Sequence, residues 1–528
     1  MQGELVGAYQ QKGVVQDSVH GFIPINEAEY WLLQTAFMRR LHNIKQLGMA
    51  FLVFPSARHS RLEHSLGVMH IASRMAQRIA GSLSRNDKLC SEVLYDCDYE
   101  HLNNFVQTAR FSGLLHDVGH LAYSHMSEEA IEYMAKYIED QHSQGLFKEL
   151  TELSGSTLKV HEAYGVSFLS KLKGLSSSFE GPLLEVYLSA VAELLKPGGP
   201  TVREPLEELG IRPEAYDIIH DIISNEIADA DRLDYLQRDA QATGIVYGNI
   251  DLDRLVEGIG VSLLDDGRPS LSLDIKSLQP LEDVFDARYK MYRSVYYHHK
   301  VIAISKSVSR FIRELPQSHI QLPEAYGGNL REAIKPSSLA KAIADDLYYF
   351  DDSELDVIAR TAAHGEERLI KRWALSLLER RDLLPLSLIK RSEEVMVLAT
   401  EILRKRGLEP SPSNLSHLLN YVSNRVSAIQ DDLRKAIGNS NIMVDCFSSS
   451  IINLDRLRRG SNMFNWSESS YLRAIVDQSS IPVLLLYAYS DYMDDHLSLI
   501  RARAKDVRET AKKILQDVLN EGVKDIRS

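Results

Sequence analysis

Apolar residues along most of this 528-residue chain recur three or four positions apart, the period of helices that bury one face. Trp31, Leu32, Ala36, Met38, Leu41 and Ile44 keep that spacing and predict a helix over Glu27–Leu47, ended by Gly48. Helices are also predicted from about Ser60 to Leu83, from Asn103 to Leu115, onward from Ser127, and over Ala163–Leu172, Leu183–Leu195 and Ala215–Ile223. The stretch to Gly21 reads as extended or looped, with Asp17-Ser18-Val19-His20-Gly21 as a turn, and Phe54-Pro55-Ser56-Ala57 reads as a loop. Strand patterns are few. Val261–Leu264 and Ser270–Asp274 flank Asp265-Asp266-Gly267-Arg268 and predict a small β-hairpin.

Breaks in the pattern set the expected organisation. Lys196-Pro197-Gly198-Gly199-Pro200 is a connection, Pro280–Arg313 is helical, and Pro316–Ser338 marks a boundary. Short charged helices follow over Leu339–Phe350, Ser353–His364 and Glu366–Arg381. Residues 440–490 mix β-branched and aromatic runs, and a last amphipathic helix covers about Asp494–Asn520. The expected fold class is mainly α: a helical bundle with a small β-hairpin in residues 1–315, a helical region over 316–440, and an α+β appendage over 441–528.

Composition narrows the function. A net charge of −13 gives no support to a nucleic-acid groove as the main surface, so nucleic acid is not an expected partner. The three cysteines, Cys90, Cys97 and Cys446, lack metal or disulfide spacing and read as thiols of a reducing compartment. The start has no signal pattern, and the longest apolar run, Ile481–Tyr489, is far too short to span a bilayer. A soluble cytoplasmic protein without a membrane partner is expected.

His116 and Asp117 stand side by side just after the apolar Phe111, Leu114 and Leu115. Burying both is costly unless each finds a partner, and a divalent metal is a partner both can share. Two more segments use the same ligand alphabet: His64 in Arg61-Leu62-Glu63-His64, and Asp231 in Asp229-Ala230-Asp231-Arg232. The order H…HD…D supplies two imidazoles and two carboxylates, and facing helices can bring such a set together. Mixed N/O ligation suits Mn, Fe, Ni, Zn or Co, with Mg credible beside phosphates, so the sequence leaves the metal open.

The set resembles the HD-domain phosphohydrolase superfamily, in its branch of deoxynucleoside triphosphate triphosphohydrolases, which includes the HD domain of the mammalian sterile-alpha-motif/HD protein. The resemblance covers roughly residues 15–310. It is carried by Asp17–Gly21, Ile44-Lys45-Gln46-Leu47-Gly48, Phe54-Pro55, His59–Gly67, the His116 block and Asp231–Asp239. It implies an HD core in residues 1–315, a metal on His64, His116, Asp117 and Asp231, and a phosphate-facing group of His120, His125 and His161. His125 matches the proton donor to the leaving 5′ oxygen, and Glu128, an aspartate in the best-known member, would orient it. The resemblance also implies phosphate contacts from Arg61, Arg232 and Arg288, with Arg232 replacing a lysine. Gln46, Leu47, Tyr235 and Asp239 match the residues that read the deoxyribose, Tyr235 leaving little room for a 2′-hydroxyl.

The resulting expectation is a metal-dependent enzyme that hydrolyses deoxynucleoside triphosphates to deoxynucleoside and inorganic triphosphate. A second Mg²⁺ would ride on the substrate, and the chain would form a homo-oligomer. Two alternatives stay open: another HD phosphohydrolase (a nucleotidase or single-strand nuclease), or a nucleotide sensor with a vestigial site. Plainer readings hold elsewhere. His120 alone is more often a helix-end cap, and Tyr289, Tyr292 and Tyr296 read as core packing. His298-His299 reads as surface or phosphate-side, Glu63 and Asp234 as supporting charges, and Lys45 as solvated or anion-facing.

Overall fold

The first helix does not run the length its apolar spacing predicts. In the computed structural model α1 covers Glu27–Gln34, capped by Asn26 with Glu29 reaching back, and stops at Thr35. Thr35 is extended and its hydroxyl donates to the Leu32 carbonyl, a local bond that competes with helix propagation. The chain continues as the short helix Ala36–Arg39 and a 3-10 turn over Arg40–Asn43. The structure describes residues 5–155, 159–196, 199–318, 320, 330–378, 384–454, 457, 463–490 and 501–527. Upstream of α1, Tyr9–Asp17 and Gly21–Asn26 form an antiparallel pair, so part of the stretch expected as extended or looped is hydrogen-bonded strand.

The fold is mainly α, as the periodicity predicts, and the chain forms two compact units. One takes Met1–Ala287, Gln321–Leu355 and Arg456–Trp466; the other takes Arg288–Ile320, Asp356–Asp455 and Ser467–Ser528. In the first unit α2 (Arg61–Leu83) packs against α3 (Tyr99–Leu115). The two helices bury Val68, Met69, Ala72, Met75, Phe105, Phe111 and Leu114, each large side chain contributing about 1.5–3 kcal/mol relative to exposure. Arg110 of α3 forms a buried bidentate pair with Glu29 of α1 at 2.6 and 2.7 Å and also donates to the Pro24 carbonyl, tying the hairpin to α3. Three further helices complete the site region: α4 (His125–Tyr137), α5 (Val160–Leu175) and α6 (Ala230–Thr243). The predicted hairpin is present as Ile259–Leu263 paired with Pro269–Leu273.

In the second unit, helices Ser392–Lys405, Pro412–Ser423, Val426–Ile437 and Ala504–Arg527 bury an apolar cluster with a three-stranded antiparallel sheet. The apolar run near Ile481 supplies its central strand, Val483–Tyr489, between Leu386–Ser387 and Met443–Ser449. The expected last helix falls partly outside the described residues, as do Pro197 and Gly198, much of Pro316–Ser338, and the end of Glu366–Arg381.

Two further expectations are corrected. The helix expected over Pro280–Arg313 breaks into Leu278–Met291 and His299–Glu314, with a π turn at Tyr292–Tyr296 in which the Tyr297 amide donates to the Tyr292 carbonyl. That wider turn shifts the helical register, so Tyr289, Tyr292 and Tyr296 are half-buried rather than core. Cys90 and Cys97 are disulfide-bonded, with Cα atoms 6.0 Å apart, and only Cys446 is a free thiol. The bridge closes a short bend between helix Asp87–Val93 and Asp98, the cap of α3, a spacing with no sequence signature. Among the described residues no helix is long and apolar enough to cross a membrane.

Candidate functional site

Three helices bring the H…HD…D set together. Ser60 caps α2 in a capping box with Glu63, which places His64 in the buried first turn and gives Glu63 its role. His116 and Asp117 follow the last residue of α3, and Asp231 is the second residue of α6, which Asp229 caps. His64 Nε2 lies 3.0 Å from Asp231 Oδ1 and 3.6 Å from Asp117 Oδ2. His116 Nε2 lies 3.7 Å from Asp231 Oδ1 and 3.3 Å from Asp117 Oδ1.

The tautomers follow from the partners behind the rings. His64 Nδ1 is 2.7 Å from Asp234 Oδ2, and His116 Nδ1 is 2.8 Å from the Gly113 carbonyl. Both partners only accept, so each Nδ1 carries the hydrogen and each Nε2 turns a lone pair inward. Both Nε2 atoms are buried without a hydrogen bond. Donor separations of 3.0–3.7 Å suit a cation with bonds of about 2.1 Å, so the residues present fit a divalent metal. Charge makes the same demand. Burial pulls the His64 imidazole down, but the neighbouring carboxylates of Asp231, Asp234 and Asp117 push it up to about 10. Burial pushes the Asp117 carboxyl up, and the Arg61 and histidine charges hold it well below the usual carboxylate range.

Behind His64 lies a buried network. Asp234 accepts from Arg238 at 2.8 and 2.9 Å and bonds His20 Nε2 at 2.6 Å, while Arg238 also donates to Asp17 at 2.9 Å. Asp17 in turn accepts the amides of Val19 and His20, so the Asp17–Gly21 turn braces His64 through Asp234 and Arg238. A Cβ on Gly67 would stand 1.9 Å from Asp234 Oδ1, so only glycine lets α2 approach α6 this closely.

The second cluster adjoins the first. His120 Nε2 lies 3.2 Å from Asp117 Oδ1, and His120 Nδ1 lies 2.6 Å from Glu128 Oε1. The other oxygen of Glu128 takes His161 Nδ1 at 2.9 Å and His125 Nδ1 at 3.3 Å. His120 stacks on His161 with centroids 4.4 Å apart, while His125, at the start of α4, keeps 71% of its side chain exposed. Burial and the Arg61 charge pull His120 down to about 4. Burial pulls His161 down as well, but Glu128 pushes it above its ordinary value. A Cβ on Gly119 would meet the His161 carbonyl at 2.1 Å, so this turn seats directly on α5.

The expected phosphate and sugar residues are placed unevenly. Arg61 donates to Ser124 Oγ at 2.9 Å and pairs with Asp117. Arg232 donates to Asp229 at 2.9 Å and to the Asn225 carbonyl. Arg288 belongs to the second unit, where it donates to the Ile451 carbonyl at 2.9 Å. Gln46 donates its amide to the His59 carbonyl, and its buried Oε1 has no hydrogen-bond partner. His59 Nε2 bonds Asp239 at 2.8 Å, Leu47 precedes a 3-10 turn, and Tyr235 is half-buried on α6. Lys45 is not simply solvated: its ammonium pairs with the buried Asp352 at 2.9 Å. His299, in the second unit, bonds Ser387 Oγ at 3.0 Å.

The fold is α-helical and its candidate site carries the H…HD…D donor set. Residues 61–236 match the model of the HD domain family, and the chain is similar to HD-domain phosphohydrolases. It is 30% identical over 312 residues to an uncharacterized protein of Methanocaldococcus jannaschii, covering 59% of this chain and 52% of that one. It is 28% identical over 296 residues to the deoxynucleoside triphosphate triphosphohydrolase SAMHD1 of Homo sapiens, covering 54% of this chain and 42% of that one. The chain thus spans about half the length of these curated relatives. A crystal structure of a phosphohydrolase from Bacteroides thetaiotaomicron superposes with a TM-score of 0.57 at 17% identity, covering 91% of this chain and all of that one, a likeness of fold alone.

Proposed function

We propose that this protein hydrolyses deoxynucleoside triphosphates to deoxynucleoside and inorganic triphosphate. The observation that carries the reading is the junction at Asp117, where the cation-demanding donor set meets a group of three histidines on one carboxylate. The similarity to a deoxynucleoside triphosphate triphosphohydrolase supports the choice of substrate. His64, His116, Asp117 and Asp231 would hold a divalent cation, which supplies Lewis acidity and activates water when bound. Glu128 accepts from His125 Nδ1 and so leaves the opposite edge of that exposed ring for substrate. Water adds at the α-phosphorus as its bond to O5′ breaks. His125 gives a proton to O5′, and the proton released by the water passes to solvent. His120 and His161 line the phosphate side, and Gln46 with Asp239 faces the 3′-hydroxyl. Tyr235 closes the sugar edge, and homo-oligomer assembly belongs to the same reading.

A second reading has its own support. Arg61 and Arg232 are both engaged with carboxylates, which leaves less free positive charge for a triphosphate than the sequence alone promises. A monophosphate would need less. Incubating pure protein with each deoxynucleoside triphosphate and monophosphate, with Mn, Fe, Co, Ni, Zn and Mg varied, decides between them. Chromatography is expected to show deoxynucleoside plus intact triphosphate. Release of pyrophosphate, or turnover of monophosphates alone, sinks the reading.

A further inference from the structure

The turn that links the two clusters is conformationally costly. Between α3 and α4, Tyr123 and Ser124 both have φ of +55°, a region that side chains other than glycine seldom occupy. Ser124 immediately precedes His125, and its hydroxyl accepts from Arg61 and donates to the Lys45 carbonyl at 3.0 Å. Such a turn persists only if its surroundings hold it. The holding groups come from a segment well beyond residue 236, where the family match ends. The Phe350 carbonyl accepts the Ala122 amide at 3.0 Å. Asp352 accepts the Tyr123 amide at 2.7 Å through Oδ1, while Oδ2 takes the Lys45 amide at 3.2 Å and its ammonium at 2.9 Å. Arg40, which donates to the Tyr349 carbonyl, also holds the carbonyls of Val118 and His120 at 2.9 and 2.5 Å.

We propose that Asp352 is a positioning residue for the hydrolytic site: its two oxygens clamp the Tyr123–Ser124 turn to Lys45 and so aim His125 and seat Arg61. Every group involved lies in the first unit. Asp352 is 99% buried and, among the described residues, bonds neither the candidate cation donors nor the three histidines, so its effect passes through the backbone of the turn. The neighbouring Asp351 is an internal control, since it accepts from Asn43 and from the amides of Ser353 and Glu354 and bonds no residue of the turn.

The test rests on the reading above for its kinetic arm and on none of it for its exchange arm. In Asp352→Ala, kcat for deoxynucleoside triphosphate is expected to fall about 10- to 100-fold, with KM changed less than about threefold and metal content kept. Asp352→Asn tests the same clamp with a smaller perturbation. Its amide sets donors against the Lys45 donors or against the Tyr123 amide, and a fall of about tenfold is expected. Asp351→Ala should match the loss of thermal stability yet keep kcat within about twofold. Hydrogen exchange over residues 117–127 should quicken at least about tenfold in Asp352→Ala, with 105–113 unchanged. Wild-type kcat in either folded Asp352 variant, an equal kcat loss in Asp351→Ala, or unchanged exchange in the turn overturns the proposal. A wild-type protein inert toward these nucleotides overturns the hydrolytic reading instead, and the exchange arm still decides for or against the clamp.

Discussion

The two clusters that meet at Asp117 are built from the same residue types and satisfied in opposite ways. Around His64 and His116, both inward nitrogens are buried with no hydrogen-bond partner, and two carboxylates face the two imidazoles. Around Glu128, each Nδ1 has the carboxylate as its partner. Buried polar groups lose free energy when unpaired, so the first arrangement fits a cation, while in the second each imidazole already has a carboxylate partner. In the proposed reading the first cluster is a socket and the second a relay. Composition alone does not distinguish them, since both are His plus carboxylate; the direction of the free nitrogens does.

That contrast can be broken most heavily at the socket. Replacing His116 and Asp117 together by alanine should abolish tight metal binding and turnover, and elemental analysis checks it. Full metal content in the double variant would place the ion elsewhere. The relay should respond differently. His125→Ala should lower kcat by roughly 10²–10⁴ with metal content and KM near wild type, because a positioned proton donor acts in the transition state. An unchanged rate would move the proton to another donor, His161 being the nearest candidate on Glu128.

The smallest expected effect concerns stability and pH in metal-free protein. Burial pushes Glu128 up, but its histidine neighbours hold it well below its ordinary 4.5, so its contribution is present above that pH and fades as pH falls through the depressed folded value. His161 is raised above its ordinary 6.5, burial opposing and Glu128 prevailing. Its contribution is therefore full below 6.5 and fades as pH rises through the folded value. Both are present together between pH 4.5 and 6.5. Thermal unfolding of Glu128→Gln against wild type should show its largest gap there, about 3 kcal/mol for a broken buried pair. A gap independent of pH would mean that charge pairing does not hold this cluster.

The amino-acid sequence by itself determined the helical class, the hairpin near Asp266 and the H…HD…D set, because helical periodicity and ligand chemistry are local properties that need no partner to be read. His64, His116, Asp117 and Asp231 were legible as one group for that reason, whereas Glu128 entered through the family resemblance. Only the tertiary structure decided which nitrogen of each histidine faces inward, since that depends on Asp234 and the Gly113 carbonyl behind the rings. It also decided that Arg61 and Arg232 spend their charge on Asp117 and Asp229, and that Lys45 meets Asp352 from more than 300 residues away. The tyrosine stripe was misread because a π turn alters the period on which such readings rest, and the Cys90–Cys97 bridge because two thiols seven residues apart pair only if the chain bends between them. Pairings of this kind are set by distances in space, and a linear pattern carries no distance beyond a few turns of helix.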